Sequence, residues 1–187
     1  ALDTTEQEVV SQKVRETLDF AQNVLGCAQA LAGESDMERA TMQTLKLVGE
    51  FYQADRAYIF EPDPVDKDSW NNTYEWCQEG ISSEQDSLQS IPTSLIQRWL
   101  DLFEAKKPVI ISNMDDLKDT EPEEWEVLQR QGIRRLIASP IFQDGEVYSF
   151  LGVDNPRHCL EDDALIQTLS LFLTNRFRRN ETEERLG

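Results

Sequence analysis

An α+β domain built on an antiparallel sheet is the fold class this sequence predicts, and three observations predict it. Both ends carry apolar residues at helical spacing. The middle holds short β-branched and aromatic runs punctuated by Pro, Gly and Asp. Two of those runs are joined by an Asp-Gly pair, a strong signal for a tight antiparallel turn. Helices and strands do not alternate as they do in a parallel α/β domain.

The elements follow in order. Residues 6 to 32 lack Pro, and Gly26 is their only glycine. Val10, Val14, Thr17, Ala21, Val24, Ala28 and Leu31 recur at steps of four and three, the seam spacing of a two-stranded coiled coil. An amphipathic helix packed on its own domain is the other reading of this segment. Gly33 can end the helix, and Ser35 with Glu38 forms a capping box for a second one reaching about Tyr52. Met42, Leu45, Val48, Gly49 and Tyr52 mark its core side.

Arg56 to Glu61 then reads as a strand stopped by Pro62 and Pro64. Trp70 to Glu79 alternates, with Asn72, Tyr74, Trp76 and Gln78 on one side and Thr73, Glu75 and Cys77 on the other. Ser94 to Ala105 predicts a short helix, Pro108 to Ser112 a strand, and Asp115 to Gln131 helical turns around Leu117, Trp125 and Leu128. Ile133 to Phe142 and Glu146 to Asp154 form the hairpin joined by Asp144 and Gly145. A last helix starts near Glu161, marked by Leu165, Leu169, Phe172 and Phe177.

Composition narrows function. A net charge of −18 repels phosphate backbones and anionic lipid, so neither nucleic acid nor a membrane is an expected partner. The 39% hydrophobic content is too high for a disordered chain. One histidine, His158, excludes two-histidine metal motifs within one copy. Three scattered cysteines, Cys27, Cys77 and Cys159, read as reduced thiols of a cytoplasmic protein. The absence of an initiator Met and the charged final residues fit a piece of a longer protein.

ADRAYIFE (Ala54 to Glu61), NTYEWCQEGI (Asn72 to Ile81), QGIRRLIASPIF (Gln131 to Phe142) and FLGVDNP (Phe150 to Pro156) together resemble GAF domains, small-molecule sensors related to PAS. The likeness covers roughly Ser35 to Asn180, and it is to GAF domains found upstream of bacterial diguanylate cyclase (GGDEF) modules. It implies a sheet of about six strands, a ligand cavity between one sheet face and the middle helices, and a homodimer formed through the terminal helices. It also implies a covalently linked output domain beyond Gly187, since no GGDEF sequence is present. The expected organisation is a dimerisation helix over 1–33, a sensor domain over 34–180 and the start of a linker over 181–187. The NKFDE-type signature of cyclic-nucleotide GAF domains is missing, and no cysteine stands in a bilin-attachment context. No cofactor is expected, and no metal: the acidic residues between Glu61 and Glu126 lack EF-hand spacing.

Candidate pocket residues are Tyr58, Phe60, Tyr74, Trp76, Trp99, Trp125, Ser139 and Asp154. Aromatic walls with a few fixed polar groups suit a small molecule, although the same rings also serve as core. Asp154 is either a polar anchor for an amine or hydroxyl, together with Ser139, or a turn group bonding backbone amides before Pro156. No catalytic residue is expected. Ser139, His158 and Asp154 lack the elbow that a hydrolase triad needs. The scattered cysteines do not form the attacking and resolving pair of the sulfoxide reductases that some stand-alone GAF proteins resemble. The main expectation is therefore a homodimeric regulatory sensor with an unidentified small-molecule ligand, dimerising along Val10, Val14, Val24 and Leu31. A purely structural dimerisation module without a ligand is the alternative.

Overall fold

The computed structural model describes residues 4–33, 36–158, 160 and 162–174. Helix α1 spans Thr4–Gly33 and α2 spans Met37–Phe51. Strands β1 (Arg56–Pro62) and β2 (Ser69–Cys77) follow, then the two-residue β3 (Ile91–Pro92), a 3-10 turn and α3 (Gln97–Glu104). Next come β4 (Val109–Ile111), a second 3-10 turn and α4 (Pro122–Arg130). The hairpin of β5 (Leu136–Gln143) and β6 (Glu146–Asp154) and the helical run α5, residues 164–174, complete the chain.

All six strands join one antiparallel sheet in the order β3-β2-β1-β6-β5-β4. The expected α+β architecture is therefore present. Asp144 and Gly145 turn the β5–β6 hairpin with φ of 53° and 82°, the positive values such a turn requires. Asp36, rather than Ser35, caps α2: its carboxylate accepts from the Glu38 and Arg39 amides at 3.0 and 3.4 Å. Ser35 lies outside the described residues, as does Phe177.

The sheet is buried on both faces. Side-chain alternation sends Ala57, Ile59, Ile137, Ile141, Leu151 and Val153 into one apolar cluster under α1, α2 and α5. Tyr58, Phe60, Leu136, Ala138 and Phe150 enter a second cluster with α3, α4 and both 3-10 turns. On the first face, an added Cβ at Gly49 of α2 would come within 2.2 Å of the Trp76 ring. Only glycine permits that approach. On α1, Phe20, Val24 and Cys27 pack toward the domain, while Val9, Val10, Val14, Leu18 and Leu25 stand exposed. The seam read from the sequence is thus divided: Val24 faces the chain's own core and Val10 and Val14 face outward. The side chains of Thr17 and Leu31 lie outside the described ones. Among the described residues no helix is long and apolar enough to cross a membrane.

Candidate functional site

Three rungs of the sheet form the floor of a cavity on the second face. Asp154 pairs with Arg56 on one side and Leu136 on the other; Gly152 pairs with Tyr58 and Ala138; Phe150 pairs with Phe60 and Pro140. The next strand adds Cys77 beside Arg56, Glu75 beside Tyr58 and Asn72 beside Phe60. A bulge between Ile59 and Phe60 makes room for Thr73, so Asn72 and Glu75, three residues apart, share the cavity face. The simple alternation read from the sequence had placed Asn72 with Tyr74 and Trp76.

Aromatic rings build the walls. Phe60 stacks on Phe150 at 5.1 Å with an interplanar angle of 7°, and Trp99, Phe103 and Trp70 surround Phe150 at 5.3–5.7 Å. The Tyr58 ring lies so close over Gly152 that an added Cβ would sit 2.6 Å from it. Leu88 from the β2–β3 loop, Ile96 and Leu128 help close the roof, leaving a cavity of about 80 Å³.

The polar groups are few and mostly spent. Glu75 Oε1 accepts from the Ser83 hydroxyl at 2.6 Å, the Glu84 amide at 3.1 Å and the Cys77 thiol at 3.3 Å; Oε2 accepts from Asn72 Nδ2 at 3.2 Å. Glu75 therefore pins the β2–β3 loop over the cavity. At the roof, Glu124 receives Arg98 through both carboxylate oxygens and Trp99 Nε1 through Oε1. Buried Arg56 donates to the carbonyls of Ser82 and Gln131 and to Asp154 Oδ2 at 3.2 Å, tying β1 to the β2–β3 loop and to the end of α4.

Asp154 is 2% exposed and lines the cavity, and its Oδ1 has no hydrogen-bond partner. Burial pushes its carboxyl up to about 7, against the opposing pulls of Arg56 and of the neighbouring Tyr58 hydroxyl. The Tyr58 phenol is raised well above its usual range, first by burial and then by Asp154. Asn155, not Asp154, serves the turn. It stands at φ 53°; its Oδ1 accepts the Arg134 and Arg135 amides, and its Nδ2 donates to Asp55 and to the Gly132 carbonyl.

Of the residues read from the sequence, Tyr58, Phe60, Trp99 and Asp154 meet at this cavity. Tyr74 and Trp76 lie on the opposite face, because Tyr74 pairs with Ile59 and Trp76 with Ala57. Ser139 pairs with Leu151 on that face and donates to Asp163 Oδ2 at 3.0 Å. Trp125 packs beside the cavity-side cluster with Lys118 over its ring, outside the lining. His158 rests on Phe51, its Nδ1 bonded to the Phe51 carbonyl, so it does not assemble with Ser139 and Asp154. Arg56, Glu75 and Gly152 were not singled out by sequence reasoning. The signal for Arg56 was an arginine opening a strand whose next four residues are apolar or aromatic.

Burial also raises the Cys27 and Cys77 thiols to about 12, which keeps them protonated at neutral pH. Cys159 lies outside the described residues. Among the described residues no group of three His, Cys, Asp or Glu side chains is placed to hold a metal ion.

The GAF domain family model matches residues 36–176. The regulatory histidine kinase FilI of methanogenesis, from Methanothrix harundinacea, is 29% identical over 124 residues. The aligned part is 64% of this chain and 14% of that protein's length. The phycocyanobilin-bound GAF domain of a cyanobacterial phytochrome superposes with a TM-score of 0.71 at 18% identity, covering 88% of this chain and 96% of that one. The GAF domain of a phosphoenolpyruvate-protein phosphotransferase from Coxiella burnetii gives 0.69 at 16% identity, covering 90% and 98%. The chain belongs to the GAF domain family.

Proposed function

We propose that this GAF domain is the small-molecule-sensing module of a cytoplasmic signalling protein, dimerising through its terminal helices and controlling an output domain joined C-terminally. The single observation that carries the reading is Asp154, a buried carboxyl that lines a walled cavity with one oxygen left without a hydrogen-bond partner. An unpaired buried acceptor costs roughly 1–3 kcal/mol, which a suitable ligand would recover.

The cavity and the terminal helices lie on opposite faces of one sheet. Gly152 and Leu151, neighbours on β6, touch Tyr58 on one side and the α1, α2 and α5 cluster on the other. A ligand that binds two arrangements of those strands with different affinity shifts the helices with them; equal affinity shifts nothing. Exposed Val10, Val14 and Leu18 on α1, and Leu171 on α5, support the dimer contact. The resemblance at FLGVDNP and its companion segments supports a diguanylate cyclase output. The similarity to a regulatory histidine kinase supports the broader class of signalling outputs.

At about 80 Å³ the cavity is well below the roughly 300–1,000 Å³ of drug-sized pockets. It is therefore sized for something much smaller than the phycocyanobilin named for one of the similar structures. The same small volume, with Phe60 and Phe150 stacked beside it, favours the second reading, a dimerisation module without a ligand. Native mass spectrometry of the gently purified protein separates the two. A dimer releasing a stoichiometric small molecule on denaturation is the expected result. A dimer without an adduct favours the structural reading, and a monomer removes the helix-mediated contact.

A further inference from the structure

Resting on that sensing role, the ligand class can be narrowed by charge and hydrogen-bond inventory. Among the described residues, the ionisable side chains lining the cavity are Tyr58, Glu75, Glu124 and Asp154, with no lysine, arginine or histidine. Arg56 approaches from beneath, but its donors run to Ser82, Gln131, Glu84 and Asp154 Oδ2. Glu124 is satisfied by Arg98 and Trp99, and Glu75 by four donors. Among the described residues, the fully buried polar side-chain atom of the lining without a hydrogen-bond partner is an acceptor, Asp154 Oδ1. Tyr58 stands one rung away, and Phe60 and Phe150 line the same cavity farther along the strands, aromatic rings of the kind that attract cations.

We infer that the cavity receives a small organic cation of the ammonium, amidinium or guanidinium class, its N–H groups donating to Asp154 and its body held among the aromatic rings. An anion would meet three carboxylates and no free donor charge. A quaternary ammonium would satisfy the rings but leave Oδ1 unpaired. The volume limits the occupant to a few heavy atoms, or to the charged end of a longer molecule entering through the roof.

The test uses methylguanidine as the probe, with N-methylurea and acetate as neutral and anionic counterparts, each titrated at millimolar concentrations into the unmodified protein. Amide and indole NMR resonances of Tyr58, Trp99, Phe150 and Asp154 are followed. Methylguanidine should shift them saturably and more strongly than either counterpart. Asp154→Asn should weaken it roughly tenfold to a hundredfold, the loss of one charged hydrogen bond. The three-probe contrast decides the matter even where the variant folds poorly. Equal or better binding of N-methylurea or acetate at these resonances overturns the cation assignment and leaves the sensing pocket standing. No shift from any probe, while a stoichiometric non-cationic adduct is recovered from the purified protein, likewise overturns the assignment alone. No shift and no adduct overturns both.

Discussion

The two faces of the sheet are built from the same strands and solve opposite problems. On the face under α1, α2 and α5, buried aliphatic side chains interdigitate, and buried Thr44 and Ser170 return their hydroxyls to the helix carbonyls of Ala40 and Ile166. On the other face, aromatic rings surround a void, and a carboxylate is buried with one oxygen unpaired. Each face even has a glycine under a ring, Gly49 beneath Trp76 and Gly152 beneath Tyr58. The difference teaches that one face stores stability, while the other gives some of it up around a void and a buried, incompletely paired carboxyl.

Substitutions can break that contrast. The largest expected effect is on the packed face: Leu151→Ala, at a fully buried position, should cost about 2–5 kcal/mol in denaturant unfolding. Next comes the glycine pair. Gly49→Ala drives a methyl into the Trp76 ring and should cost about 1–3 kcal/mol, partly offset by better helix propensity. Gly152→Ala pushes Tyr58 toward the cavity, so its stability cost should be smaller and its effect on probe binding larger. Equal stability costs and equal binding effects for the two would undo the distinction.

Asp154 sharpens the comparison through pH. Its folded-state pKa, about 7, lies above the ordinary carboxylate value of 3.8. The folded state therefore holds the proton more tightly, and the stability this contributes is complete below the unfolded value and lost as pH rises through the folded one. Asp154→Asn should gain stability relative to the unmodified protein as pH rises from about 4 to about 7, read from paired thermal melts. A difference independent of pH would sink the assignment of this titration to Asp154. A smaller effect concerns chemistry: at neutral pH Cys27 and Cys77 should resist iodoacetamide in the native state and react on unfolding, as mass spectrometry would show. The smallest effect on folding is Val14→Glu on exposed α1, within roughly 0.5 kcal/mol. Sedimentation should nonetheless show loss of the dimer proposed through the terminal helices.

Much of the fold was legible because local chemistry declared it. The Asp144-Gly145 turn, the core-facing stripe of α2 and the strand at Arg56 needed no partner to be read. The cavity was only half legible. Period two fixes which residues of one strand share a face, but the register between strands decides which faces coincide, and Ile59 opposite Tyr74 sends the two aromatic pairs apart. The bulge at Thr73 and the two-residue β3 depend on tertiary partners and have no local signature. Asp154 and Asn155 are adjacent and chemically alike, and only the fold decides that the amide serves the turn and the carboxylate faces the cavity.

The central position of β1 and β6 also sets how the chain must fold. Arg56 pairs with Asp154, so the middle of the sheet cannot form until nearly a hundred residues after β1 have been synthesised. Until then the apolar strand RAYIF has its later partner edge open. Folding of this module should be slow, should complete only after β6 emerges from the ribosome, and should depend on keeping that waiting edge from pairing with another chain.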